Sequence, residues 1–294
     1  MEFPSFIDIF FWKPGSSLRV SGDDAAMFLQ GQFSNDLREI PARSGVYGLW
    51  LNQKGKVVAD SFVARFEERD FLVGSYFSRG TELIQRLQDY IIADDVEVSD
   101  LSAAWTGVSL MGKESGAWLL SEKRVGVVFP GRRVRGENWE WLFPESELPG
   151  VRALLNGALE VGADEMARRR IEAAIPAVPA DIGITDLPAE GGLDAVAISY
   201  NKGCYLGQEV MARLKAMGQV RRRLRRVRGS GSAPRVPARL LQERKQIGEL
   251  RSVASSGDGF VGLAMVSLIN FKEGSLVSLE APELRTIEIL PEAK

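Results

Sequence analysis

Apolar and polar positions run through the first hundred residues in the order strand, helix, hairpin, strand, helix, strand. Leu18-Arg19-Val20 is a short strand. Ala25, Phe28 and Leu29 place a helix over 25–31, with Ser21-Gly22-Asp23-Asp24 ahead of it as capping residues. Residues 46–51 and 57–66 are two strands joined at Asn52-Gln53-Lys54-Gly55-Lys56, a hairpin with a glycine turn. A strand follows at 71–74. Leu83, Ile84, Leu87 and Ile91 then share one face of a helix over 81–92, and a strand returns at 96–101. This order predicts an α+β layer with helices on one face of a sheet.

A second unit begins near Trp105. Its strands are 106–111, 125–129 and 139–143, its helices 151–155 and 164–174. Pro176, Pro179 and Pro188 mark an irregular stretch. The apolar run 196–200 reads as a strand, and Val210, Met211 and Leu214 carry a helix over 209–216. After residue 217 the texture changes. Residues 219–228 alternate imperfectly, 229–234 form a Gly/Ser/Pro turn, and strand-like runs follow at 238–241, 246–252, 260–266, 275–279 and 286–290. That spacing suits a small β-barrel or sandwich. The expected organisation is α+β, with units at 1–103, 104–218 and 219–294.

Composition narrows the chemistry. The chain has 294 residues, 45% apolar and 26% charged, as in ordinary globular proteins. No stretch reaches membrane-spanning length, and the apolar patch 7–12 contains Asp8 and is too short for a signal core. A single cysteine favours a reducing compartment, so the expected location is cytoplasmic, with no membrane partner. Histidine is absent altogether, which removes imidazole metal sites, bases and triads. One thiol cannot hold a four-thiolate iron–sulfur cluster, so no self-contained metal site is expected, and a cluster would have to be shared with a partner. Net charge is −2, yet from Lys202 to Arg228 nine cations face Glu209 alone. The run Arg221–Arg228 within this band has three readings: a solvated face, a site for a chain of carboxylates, or a contact for RNA phosphate. No aromatics interleave with it, so stacking on single-stranded bases lacks support.

The lone cysteine sits in Lys202-Gly203-Cys204-Tyr205-Leu206-Gly207-Gln208-Glu209. The predicted strand, glycine-hinged turn and helix place Cys204 just before a helix N-terminus, with Lys202 close by, a setting that favours a thiolate. Lys-Gly-Cys-Tyr-x-Gly-Gln-Glu resembles the signature of the YgfZ-type folate-binding proteins, relatives of the glycine-cleavage T-protein (aminomethyltransferase). Residues 23–37 resemble that family's first helix, and Arg170-Ile171-Glu172-Ala173-Ala174 resembles its Arg-Leu/Ile-Glu-Ala-Gly segment, with Ala174 where glycine is usual.

The resemblance implies two ferredoxin-like α/β units and a C-terminal barrel around a central folate channel. It implies tetrahydrofolate or a one-carbon derivative as cofactor. It also implies a role in assembly or repair of iron–sulfur enzymes, with those proteins or their assembly factors as partners, and through them in tRNA modification. Glu172 is the expected pterin anchor, since a carboxylate accepts the paired N–H groups of a pterin. Arg170, Lys202, Tyr205, Gln208 and Glu209 are the other candidate folate-binding residues, and Cys204 and Asp60 the candidate catalytic ones. Asp60 stands alone where the T-protein has an Asp-Asp pair, which weighs against the rival reading, a folate-dependent aminomethyltransferase. A tRNA-binding module resting on Arg221–Arg228 is the third.

Overall fold

The computed structural model describes residue 4 and residues 6–273, 277–280 and 286–291. The first part of the chain forms β1 (Asp8–Trp12), β2 (Ser16–Ser21), α1 (Ala25–Gln32), β3 (Gly45–Leu51), β4 (Val57–Glu67), β5 (Asp70–Ser75), α2 (Gly80–Gln88) and β6 (Glu97–Asp100). The middle forms β7 (Trp105–Met111), α3 (Ser115–Leu120), β8 (Val127–Pro130), β9 (Asn138–Pro144), α4 (Leu148–Leu154), β10 (Leu159–Glu160), α5 (Ala163–Glu172), α6 (Asp194–Ala197) and α7 (Gln208–Met217). The rest forms β11 (Arg222–Ser230), β12 (Ala238–Gln242), β13 (Lys245–Ser256), β14 (Gly259–Ser267), β15 (Val277–Leu279) and β16 (Thr286–Ile289).

Two five-stranded sheets and a barrel result. The first sheet has the order β3-β4-β5-β2-β6, the second β10-β1-β7-β9-β8, and β11-β14-β13-β12-β15-β16 close into a barrel. The fold is therefore two α/β units plus a small barrel, as the pattern predicted. Strand β1 lies in the second sheet, antiparallel to β7 and parallel to β10, so the chain enters through its second unit and not its first. The apolar run 7–12 is what makes this an interior strand: Ile7, Ile9 and Trp12 are buried.

Local departures have local causes. The run 196–200 is not a strand. Its first residues complete α6, and Ser199 donates its N–H to the Ser34 carbonyl, anchoring the segment to the end of α1. Helix α2 stops at Gln88, and Ile92 beyond it is exposed. No side chain caps α1: the Asp24 carboxylate accepts the N–H of Asp95 instead, joining the helix start to the turn before β6. Positions 275 and 276 of the predicted strand 275–279 lie outside the described residues.

The largest apolar cluster lies where the parts meet. Leu49, Phe62 and Leu72 of the first sheet pack with Trp105, Phe129 and Leu142 of the second, with Ala197, Tyr205 and Met211, and with Met265 of the barrel. Phe62 stacks on Phe129 at 4.5 Å, and Tyr76 meets Phe62 edge-on at 5.0 Å. Each such aromatic contributes about 1.5–3 kcal/mol of burial, so the three parts are held as one body by their core.

Candidate functional site

The signature loop is clamped to the first unit. Lys202, 5% exposed, donates from Nζ to the carbonyls of Gln30 (2.7 Å), Phe33 (2.6 Å) and Asn35 (2.9 Å). These carbonyls surround the C-terminus of α1, so the ammonium is its cap. Burial pushes Lys202 down to about 8, against the pull of Asp36. Gly207 has φ +85°, and a Cβ on it would lie 2.8 Å from the Asn52 carbonyl oxygen and 3.2 Å from Gly55 Cα. Gly55, φ +69°, would in turn strike Val210 and Met211 at 2.8 Å. The two glycines let α7 lie directly on the β3–β4 hairpin. Between these clamps Cys204 is exposed, four positions before the first residue of α7. Tyr205 is buried, its hydroxyl unpartnered and pushed up to about 12 by burial. Glu209 is exposed in the first turn of α7, and Gln208 is half-buried beside it.

A second polar group lies under the junction. Asp60 is buried and accepts hydrogen bonds from the hydroxyls of Ser75 (2.7 Å), Ser78 (2.8 Å) and Tyr47 (3.0 Å). Burial raises its pKa above the usual carboxylate value, and the three hydroxyls only partly offset this. The Arg132 guanidinium lies 4.2 Å over the Tyr47 ring, with Nη1 buried and unpartnered. Its backbone N–H donates to Tyr76 Oη at 3.0 Å. Tyr76 donates to buried Glu140 at 2.8 Å, and Arg133 packs 3.9 Å over the Tyr76 ring. Of the two adjacent arginines, Arg133 is thus enclosed by aromatics and Arg132 is turned towards Asp60.

Arg132 forms part of the lining of a pocket of about 530 Å³, together with residues 173–176, Tyr200 and Leu214, and with Lys215, Arg223, Arg225 and Arg226. A wider groove of about 1160 Å³ follows the barrel and is bordered by Glu172, Arg226 and Arg228. Arg226 separates the two, donating to the Glu172 carbonyl at 3.2 Å. The groove is larger, but the smaller pocket holds Arg132 with its buried, unpartnered nitrogen, and its size is that of small-molecule sites.

The comparisons with known proteins agree with this architecture. Residues 13–123 match the GCVT N-terminal domain, and residues 221–288 match the CAF17 C-terminal beta-barrel domain. The iron-sulfur cluster assembly factor IBA57, mitochondrial, of Homo sapiens is 28% identical over 273 residues, covering 85% of this chain and 74% of that protein. The tRNA-modifying protein YgfZ of Photobacterium profundum is 26% identical over 224 residues, covering 72% and 67%. The glycine cleavage system aminomethyltransferase T of Bartonella henselae superposes with a TM-score of 0.77 at 18% identity, over 98% of this chain and 86% of that one, which establishes the fold. The chain combines a GCVT-like N-terminal domain with a CAF17-type C-terminal barrel and is similar to YgfZ and IBA57 proteins.

In this chain the candidate residues fall into separate places. Arg170 is buried and bound to Asp181 (2.7 Å), the Ile175 carbonyl (2.7 Å) and Ser252 (3.1 Å), so it ties α5 to the barrel and is not part of the pocket lining. Glu172 pairs with Arg168 at 2.7 Å and faces the groove, one residue before the pocket wall begins at Ala173. Neither Lys202, Cys204, Tyr205, Gln208 nor Glu209 lines the pocket. The run Arg221–Arg228 is not a solvated face. Arg222 binds Asp186 and Glu190, Arg225 donates to the Leu290 carbonyl, Arg223, Arg225 and Arg226 line the pocket, and only Arg221 and Arg228 of the six are exposed. Arg132, Tyr47 and Tyr76 had no signal in the sequence, since their strands and turn meet only on folding. Among the described residues no three His, Cys, Asp or Glu side chains are grouped to hold a metal ion, and no helix is long and apolar enough to cross a membrane.

Ala174, where glycine is usual in the resembling segment, has φ +58°. That conformation costs an L-residue about 1–2 kcal/mol, partly offset by the greater unfolded-state entropy of glycine. Ala174→Gly is expected to leave stability unchanged or raise it by up to about 1 kcal/mol, and Ala174→Val to lower it by more than that. Identical denaturation midpoints for all three proteins would show that the backbone there relaxes freely.

Proposed function

We propose that the central pocket binds tetrahydrofolate or a one-carbon derivative, and that the chain serves the assembly or repair of iron–sulfur enzymes, and through them tRNA modification. The observation that carries the reading is Arg132, which lines a pocket of folate size and lies over the ring of Tyr47, whose hydroxyl bonds buried Asp60. The names of the relatives support the iron–sulfur context. The residues present fit the group. Arg132 Nη1 is a buried donor in need of an acceptor, Ile175, Pro176 and Leu214 offer an apolar wall, and the rim is cationic where a glutamate carboxylate would lie.

Bound tetrahydrofolate supplies ring nitrogens that carry one-carbon units. The chain supplies the rest. Arg132 holds the ligand's acceptor atoms and keeps its charge beside Asp60, and Asp60 is a proton-holding acid whose affinity for the proton burial has raised. Glu172 remains the proposed pterin anchor. Its bond to Arg168 is a partly exposed i,i+4 pair worth about 0.3–0.5 kcal/mol, too little to keep the carboxylate from a better partner. Cys204, exposed beside the clamped loop, is positioned for a partner rather than for the pocket.

Calorimetric titration with tetrahydrofolate tests this. Saturable binding to the native protein is expected, at least tenfold weaker in Arg132→Gln and in Glu172→Ala. No binding to the native protein would end the folate reading. Weakening in Arg132→Gln alone would move the pterin anchor from Glu172 to Arg132. Buried Asp60 also favours a second reading, aminomethyl transfer, which requires turnover of a methylamine donor with tetrahydrofolate.

A further inference from the structure

Glu140 is fully buried on β9 and takes no part in lining the pocket. Four groups turn a hydrogen or a positive charge on it. Tyr76 Oη donates to Oε1 at 2.8 Å, and Ser109, opposite on β7, donates to Oε2 at 2.7 Å. Asn138 Nδ2 lies 3.4 Å and Arg133 Nε 3.6 Å from Oε1. A carboxylate in that setting accepts from all of them, so the Tyr76 proton is committed to it. The Tyr76 oxygen is left as an acceptor, and what it accepts is the backbone N–H of Arg132 at 3.0 Å.

The neighbouring peptides are held in the same way. Gly131 donates its N–H to the Asn138 carbonyl at 2.7 Å, and Arg133 donates its own to Asn138 Oδ1 at 2.8 Å. The turn lies directly on the carboxylate: a Cβ on Gly131 would sit 2.5 Å from Glu140 Oε1. Of residues 131–133 only Arg132 lines the pocket, with its guanidinium over Tyr47 and Nη1 unpartnered. Burying a carboxylate is costly, and burial raises the pKa of Glu140. An apolar pair in place of Glu140 and Tyr76 would fill the same space at less cost, but would leave the Arg132 N–H without its acceptor.

We propose that Glu140 and Tyr76 are positioning residues of the pocket: Glu140 fixes the direction of the Tyr76 hydroxyl, and Tyr76 holds the Arg132 peptide so that the guanidinium meets the ligand in one conformation. The proposal rests on the folate reading for its ligand, while the Arg132 peptide is observable without one.

The test compares the native protein with Tyr76→Phe, Glu140→Gln, Arg132→Gln and the double variant Tyr76→Phe/Arg132→Gln. Binding of tetrahydrofolate is read by calorimetry, amide hydrogen exchange by NMR, and folding by thermal melts. Tyr76→Phe keeps the ring that meets Trp12 and Phe62 at 5.0 Å and loses one oxygen. It is expected to weaken binding at least fivefold, and to speed exchange of the Arg132 amide at least tenfold while the amides of β9 keep their native rates. Glu140→Gln is expected to weaken binding about threefold, since its amide can present N–H to the Tyr76 oxygen and compete with Arg132. In the Arg132→Gln background Tyr76→Phe should cost less than twofold more. Tyr76→Phe binding within twofold of the native protein would overturn the proposal, as would an equal loss with and without Arg132, which would give the pair a role in the fold alone. Native affinity in Glu140→Gln would remove Glu140 from it. If the native protein binds no tetrahydrofolate, the folate reading falls and exchange decides the positioning: an unchanged Arg132 amide in Tyr76→Phe would overturn it, and faster exchange confined to residues 131–133 would sustain it.

Discussion

Asp60→Asn is expected to raise the melting temperature at pH 7 while abolishing complementation of an iron–sulfur-deficient strain. The side chain is buried, and burial raises its pKa, so the folded state prefers the neutral acid more strongly than the unfolded chain does. A raised folded-state pKa means that stability is greatest below the unfolded value of about 3.9 and falls as pH rises from there through the folded value. At pH 7 the native protein therefore carries a cost that a neutral isostere lacks. Asparagine keeps the volume and an oxygen for Ser75 and Ser78, which both bond to one carboxylate oxygen, and its amide donates to Tyr47 on the other side. The stability gain should be present at pH 7 and vanish near pH 4. A melting temperature that falls at pH 7 would mean that the charge stabilises the fold through Arg132, and Asp60 would lose its standing as a functional acid. Higher stability with lost function is the pattern of a residue kept for chemistry at the expense of the fold.

Lys202→Met is expected to lower stability by about 2–4 kcal/mol, because three carbonyls at the end of α1 lose their donor together. For a chain of this size the melting temperature falls by roughly 3–6 °C. Cys204→Ser should leave it unchanged, since the thiol is exposed. The pair separates two uses of one motif. If Cys204→Ser destroys complementation at native stability, the thiol acts on a partner. If complementation survives, the thiol has no such role and the signature serves the fold alone. A melting temperature unchanged in Lys202→Met would mean that water replaces the ammonium, and the clamp would be incidental.

Much of the architecture was legible along the chain. Alternation marked β2 to β9 and the barrel strands because each has one face on a core, and period-2 patterning records that directly. The amphipathic face of α2 was equally plain, though not its end, which tertiary contacts set. The segment 196–200 misled, and the run 7–12, read only as too short for a signal core, gave no sign of β1, for one reason: a short apolar run has no period of its own, and its partner in space decides whether it pairs or coils. The motif around Cys204 marked the family and the importance of the loop. It did not reveal that Lys202 and Gly207 are spent on holding that loop, because their partners, α1 and the Asn52–Gly55 turn, lie about 150 residues or more away in the chain.

The sequence by itself determined the three-part order, the absence of imidazole chemistry, the resemblance to YgfZ-type proteins and the presence of a basic band. These are properties of composition and of near neighbours, which the chain displays without folding. Only the tertiary structure decided that Arg132, Tyr47 and Asp60 form one stack, that Arg170 and Arg222 are consumed by ion pairs, and that Arg223 and Arg225 face a pocket instead of solvent. A guanidinium's role is set by the acceptor it meets, and here the acceptors come from distant parts of the chain, brought together by the shared apolar core.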